Sequence, residues 1–125
     1  MLRVLPGIFA GLFVVAVAAL YLTSPVLAAE HCGEASWYGN EHHGRHTASG
    51  AIFDQWGMTA AMPDRSEMGR SYRVRYRGRS VVVKITDLGP ARSLNRVIDL
   101  SRGAARTLGL ERAGVGRVCL ERIIR

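Results

Sequence analysis

From residue 33 onward the chain is written in short alternating runs separated by Gly, Pro and Ser. In YRVRYRGRSVVVKIT (72–86), Tyr72, Val74 and Tyr76 alternate with Arg73, Arg75 and Arg77, and Gly78 turns the chain into 80–86. A period of two with a turn signal in the middle predicts a β-hairpin with one face buried. GEASWYG (33–39), GMTAAM (57–62), RVIDL (96–100) and GRVCLERII (116–124) read as further short strands. SRGAARTLGL (101–110) switches to helical spacing: Ser101 is placed to cap, Ala104, Ala105 and Leu108 share one face, and Gly109 is placed to end the turn. About six strands and one short helix predict a mainly β domain, and a small barrel rather than a sandwich, because closure removes the exposed sheet edges.

The first 28 residues break this pattern. No charged residue occurs between Arg3 and Glu30; an apolar block (8–22) is followed by Pro25 and then by Val-Leu-Ala-Ala (26–29). A basic start, an apolar block and small residues at the end make a secretory signal peptide over 1–28. The competing reading is a retained anchor, since the uncharged span is long enough to cross a bilayer. Cys32 follows Glu30 and His31 instead of a lipidation sequence, so a lipoprotein is not expected. Removing 28 of the 125 residues leaves 97 for a single domain over 29–125.

So small a domain gains from a covalent staple. An exported chain meets an oxidising compartment, and Cys32 and Cys119 are the two cysteines, one near each end of the domain. A disulfide between them is expected, with two free thiols as the alternative. The chain carries a formal charge of +7, and Lys84 is the one lysine among 17 basic residues. A basic surface favours an anionic partner. Export points away from nucleic acid and toward anionic polymer of the cell envelope.

Candidate chemistry is sparse. His42, His43 and His46 fall in NEHHGRHTASG (40–50), but nothing in the spacing fixes two of them on one face; a polar loop lining a groove outweighs a metal site. There is no Gly-x-Ser-x-Gly elbow for a serine hydrolase. Arg73, Arg75, Arg77 and Arg79 form either an anion-binding stripe or the solvated side of a half-buried strand. Of Trp37 and Tyr38, one is expected in the core and the other in a groove, where an aromatic ring stacks on sugars. Asp87 ends the apolar run VVVKIT and precedes Leu-Gly-Pro. A carboxyl at the mouth of a turn either donates a proton to a substrate or accepts bonds from the turn amides, the commoner role. Asp99 reads more plainly still as a turn and helix-entry residue.

Taken together, GEASWYGNEHHGRHTASG (33–50), MTAA (58–61), VVVKITDLGP (81–90) and RVIDLSRGAARTLGL (96–110) resemble the rare lipoprotein A family over essentially all of 33–123. The resemblance implies a double-psi β-barrel, the fold of expansins and of a class of lytic transglycosylases. It further implies endolytic cleavage of peptidoglycan, with preference for glycan strands stripped of peptides. The reaction needs no metal or organic cofactor. Asp87 matches the family's catalytic aspartate, and the same match implies substrate contacts from Trp37, Tyr38, His43, Arg45, Thr47 and Ser49. Three positions depart from the family: Ala51 replaces a glutamate, Met62 a histidine, and Leu88 the arginine after the aspartate. These departures keep a second reading open, a glycan-binding, expansin-like module without turnover, and a third in which the barrel is an inhibitor or structural scaffold. A monomer in the periplasm or cell envelope is expected, touching membrane only through an uncleaved leader.

Overall fold

The computed structural model describes residues 29–90 and 92–124, together with Gly7 in isolation; apart from that glycine, the predicted leader lies outside the described residues. The strands are β1 (His31–Tyr38), β2 (Thr59–Met62), β3 (Ser71–Tyr76), β4 (Arg79–Leu88), β5 (Arg96–Ser101) and β6 (Val115–Arg122). One helix, α1 (Arg102–Leu108), follows β5 directly, and single 3-10 turns lie at Arg65–Glu67 and Arg92–Leu94.

The strands close into a barrel in the order β1-β5-β2-β4-β3-β6. Two neighbouring pairs, β1/β5 and β2/β4, run parallel and the rest antiparallel. The predicted hairpin is β3–β4. Its two-residue loop has both members at positive φ, Arg77 at 45° and Gly78 at 79°, as the right-handed twist of a tight hairpin demands. Alternation then runs as expected: Tyr72, Val74 and Tyr76 face inward against Val81, Val83 and Ile85, while Arg73 and Arg75 face out.

Ile98, Leu100, Val118 and Leu120 complete the barrel interior, and α1 closes it with Ala104, Ala105 and Leu108. The Ser101 side chain accepts from the Ala104 amide at the helix start, and Gly109 ends the helix in the left-handed region. Cys32 and Cys119 sit opposite one another on β1 and β6 and form a disulfide. Among the described residues, the core and the staple lie within 29–124.

Candidate active site

The two parallel pairs position the site. On β2, Ala60 points into the core beside Leu100 of β5 and Ile85 of β4. Ala61, the next residue, pairs with Asp99 on one side, but on the other it pairs with Asp87 and not with Thr86. The register between β2 and β4 shifts at this point. Because side chains alternate across a sheet, a one-residue slip changes which face a side chain joins. Asp87 shares the parity of the buried Val81, Val83 and Ile85. The irregularity brings it instead alongside Ala61 and Asp99, the kind of re-aiming for which bulges are used near functional sites.

The result is a row across four strands: Ser36, Asp99, Ala61 and Asp87. With ~4.8 Å between neighbouring strands, the backbones of the two aspartates stand roughly 10 Å apart. Ala61, with only a methyl group, separates them. The hollow above this row measures about 100 Å3 and is lined by Tyr38, His42, Ala61, Asp87, Leu88 and Asp99.

The loop 39–56 roofs one side. Phe53 stacks on Tyr38 with ring centroids 4.5 Å apart, and the pair packs on Ala61 as a small apolar cluster separate from the barrel core. His42 meets the Tyr38 ring edge-on at 5.6 Å. Farther along, the Ser49 amide donates to the Thr86 carbonyl and docks the loop on the end of β4. That docking delivers the Ala48 amide to Asp87 Oδ1 at 3.0 Å, where the Leu88 amide also donates at 2.9 Å. Both fixed donors hold one carboxylate oxygen; Oδ2 has no hydrogen-bond partner among the described residues.

Asp99 is held differently. It accepts one bond, from the Ser36 hydroxyl at 2.9 Å. Burial raises its affinity for a proton above that of an ordinary aspartate, against the opposing pull of the Ser36 bond, of Arg96 and of His42. The Tyr38 phenol is pushed up as well, first by burial and then by the negative charges of Asp87 and Asp99. Its hydroxyl is buried and has no hydrogen-bond partner among the described residues. A buried donor left unpaired is costly, and one on the wall of a cleft between two carboxyls is a ready contact for a ligand hydroxyl.

Of the residues expected to carry function, Asp87 and Tyr38 line this hollow. Tyr38 is both buried and at the cleft. Trp37 lies elsewhere: its indole N–H donates to the Glu111 carbonyl, and Arg102 stacks over it at 5.6 Å. Thr47 and Ser49 bond to each other and to Ala51, shaping the tip that presents Ala48. His43 accepts the Gln55 amide through Nδ1; the Arg45 amide and carbonyl bond to His42 and Phe53. These four residues build the roof of the hollow and do not line it. Asp99, read from the sequence as a turn and helix-entry residue, is instead a strand residue in the cleft, and His42, one of the loop histidines expected to line a groove, is a wall residue. Ala51 is exposed and Met62 half-buried against the core, so neither adds a proton-exchanging group. As to metal donors, the grouping found among the described residues is Glu30, Cys32 and Cys119, and the disulfide occupies both sulfurs.

A family model described as lytic transglycolase matches residues 30–120. The chain belongs to the lytic transglycolase family. The chain is 49% identical over 90 residues to a probable endolytic peptidoglycan transglycosylase RlpA of Synechocystis, covering 71% of this chain and 28% of that protein. It is 45% identical over 93 residues to the endolytic peptidoglycan transglycosylase RlpA of Pseudomonas aeruginosa, covering 73% and 27%. With the corresponding protein of Neisseria meningitidis it shares 40% over 97 residues, covering 74% and 38%. The chain therefore spans between about a quarter and two fifths of the curated relatives it matches. Among solved structures, the Streptomyces papain inhibitor superposes with a TM-score of 0.63 at 22% identity, covering 79% of this chain and 98% of that one. An aspartate-to-asparagine variant of the Clavibacter michiganensis expansin in complex with cellohexaose gives 0.63 at 17% identity, covering 77% and 51%. At those identities the likeness is one of fold, and with the family match it places this chain among the double-psi β-barrels.

Proposed function

We propose that the barrel cleaves peptidoglycan glycan strands as a lytic transglycosylase, with Asp87 as acid/base. The observation that carries this reading is the pair Asp87 and Asp99, held one strand either side of Ala61 in a hollow that also contains the unpartnered Tyr38 hydroxyl. The proteins named as endolytic peptidoglycan transglycosylases support the substrate class. In the proposed reaction, a carboxyl proton passes to the glycosidic oxygen as the bond to the sugar C1 breaks. The same sugar's C6 hydroxyl closes on C1, its proton passes to the carboxylate, and a 1,6-anhydro end results. One carboxyl completes this cycle without net consumption of protons.

Asp87 fits the proton-transferring role because its two amide donors fix Oδ1 and so aim the free Oδ2. Asp99, whose proton affinity burial raises, is a second carboxyl at the site, where Ala51 and Met62 offer no titratable group. Tyr38 offers its hydroxyl to a sugar oxygen. Under this proposal the leader over 1–28 exports the protein, the domain 29–125 acts as a monomer in the periplasm or envelope, and naked glycan is the preferred substrate.

The test is mass spectrometry of naked glycan strands and sacculi incubated with residues 29–125, with Asp87→Asn and with Asp99→Asn. Anhydro ends from the unmutated protein, absent with Asp87→Asn, are expected. Cleavage retained in Asp87→Asn removes the acid/base assignment. Binding to sacculi with no cleavage by any form identifies the barrel as an expansin-like binding module.

A further inference from the structure

The closed strand order sets β3 and β6 on the far side of the barrel from β5 and β2, and hence from the hollow between Asp87 and Asp99. That far side is rich in basic residues. Arg73 and Arg75 project from its middle. At the hairpin end, Arg75, Arg77, Arg79 and Arg117 surround a recess of about 440 Å3 whose rim includes Glu30. At the other end, Arg70, Lys84 and Arg122 share a recess of about 630 Å3 with Ile123 and Ile124.

Carboxylates neutralise part of it, and Glu34 stands opposite Arg117 in the β1–β6 ladder. Glu121 pairs with Arg73 at 3.7 Å and Arg75 at 3.1 Å, Glu30 with Arg75 at 3.5 Å, and Glu67 with Arg70 at 3.7 Å. Arg77, Arg79, Lys84, Arg117 and Arg122 form no ion pair among the described residues. Arg77 instead rests on the Tyr76 ring, 5.3 Å from its centroid. Uncompensated guanidinium groups in open recesses suit phosphate, which arginine grips with two parallel hydrogen bonds.

Aliphatic side chains stand among these cations. Val82 lies opposite Arg73 in the β3–β4 ladder and is 43% exposed, and Ile124 is 73% exposed. A purely ionic partner gives such residues nothing, whereas a lipid interface takes up apolar side chains beneath the charged ones. The chain also enters the barrel at Glu30, on the rim of the arginine recess, directly after its uncharged apolar stretch. We propose that the β3–β6 face docks on an anionic phospholipid surface, with the opposite cleft turned away from the bilayer toward the wall. This goes beyond the proposed glycan cleavage and does not depend on it.

Co-sedimentation of residues 29–125 with phosphatidylcholine vesicles, with and without phosphatidylglycerol, tests the assignment. Binding is expected only where phosphatidylglycerol is present, and it should weaken with added salt. Roughly fivefold is lost for each basic side chain removed from an anionic surface, so Arg77→Ser/Arg79→Ser/Arg117→Ser should bind about a hundredfold more weakly. Lys84→Ser/Arg122→Ser, in the other recess, should lose about twenty-fivefold by the same rule and serves if the triple variant melts at a lower temperature. Ile124→Ser should reduce the binding that survives in salt. Equal binding to vesicles without phosphatidylglycerol, or both sets of arginine and lysine variants binding like the unmutated protein, overturns the proposal. So does capture by soluble polyphosphate with no binding to vesicles, which assigns the face to an anionic polymer.

Discussion

Breaking the Cys32–Cys119 bond tests how much of the barrel depends on its one covalent closure. The two cysteines pair across the β1–β6 seam, the join between the first and last strands. The bond closes a loop from 32 through 119, a sequence separation of 87. Chain-entropy arithmetic for a loop of about 88 residues gives about 4.6 kcal/mol at 25 °C, an upper value because a compact denatured chain has less entropy to lose. A domain of this size has about 5–15 kcal/mol of stability in all. Each kcal/mol moves the melting midpoint of a 60–100-residue domain by about 4–8 °C, so Cys32→Ser/Cys119→Ser should melt up to roughly 20–35 °C below the unmutated protein. Circular dichroism melts of that variant, beside the unmutated protein with and without reductant, measure the difference. A drop under about 5 °C refutes the reasoning and means that the β1–β6 ladder alone closes the barrel.

Three further substitutions probe the site and its supports. Asp99→Asn keeps an acceptor for Ser36 but cannot ionise. Because the folded protein binds the Asp99 proton more tightly than the unfolded chain does, this group's favourable contribution is complete below the unfolded value and is lost as pH rises through the raised folded one. The variant should therefore melt above the unmutated protein at neutral pH, with the gap closing in acid, while glycan cleavage falls by about a hundredfold or more; an equal deficit at every pH contradicts this. Glu111 is held down to about 2 by its bonds to Arg106 and Arg102. Its contribution is present above its ordinary value and is lost as pH falls toward 2, so Glu111→Gln should flatten the acid limb of stability against pH; unchanged slope argues against the pairing. At Gly103 an added Cβ would lie 2.4 Å from the Trp56 carbonyl oxygen, so Gly103→Ala should cost about 1–3 kcal/mol in urea denaturation, and an unmoved midpoint would show that the loop does not pack there.

Most of the fold could be read from local pattern. The hairpin announced itself because Tyr72, Val74 and Tyr76 and then Val81, Val83 and Ile85 keep a strict period of two around a glycine turn. Ser101 and Gly109 bracketed α1 for equally local reasons, a side-chain oxygen for a free amide and a residue tolerant of positive φ. The disulfide followed from compartment and count. Parallel pairing was not legible in this way: β1/β5 and β2/β4 join strands far apart in sequence, and no local period records which strand lies beside which.

The two aspartates mark the same limit at the level of the site. Asp87 drew notice because it ends an apolar run, yet alternation alone places it on the inward side with Ile85. Only the irregular pairing of Ala60 and Ala61 with Ile85 and Asp87 puts its carboxyl in the cleft. Asp99 lies twelve residues further on, with nothing in Val-Ile-Asp-Leu-Ser to distinguish it from a residue entering a helix. Its environment is made by other strands and loops: Ser36 donates from β1, Ala61 leaves room from β2, and His42 and Tyr38 wall the hollow. The substitutions at Ala51 and Met62 look, in sequence, like a site that has lost its partners. In the folded molecule a second carboxyl already faces the same hollow, so the loss of two polar residues leaves a cleft with two carboxyl groups and an unpartnered tyrosine hydroxyl. Asp99→Asn, rather than restoration of a glutamate or histidine, is therefore the substitution that tests whether this second carboxyl takes part in turnover.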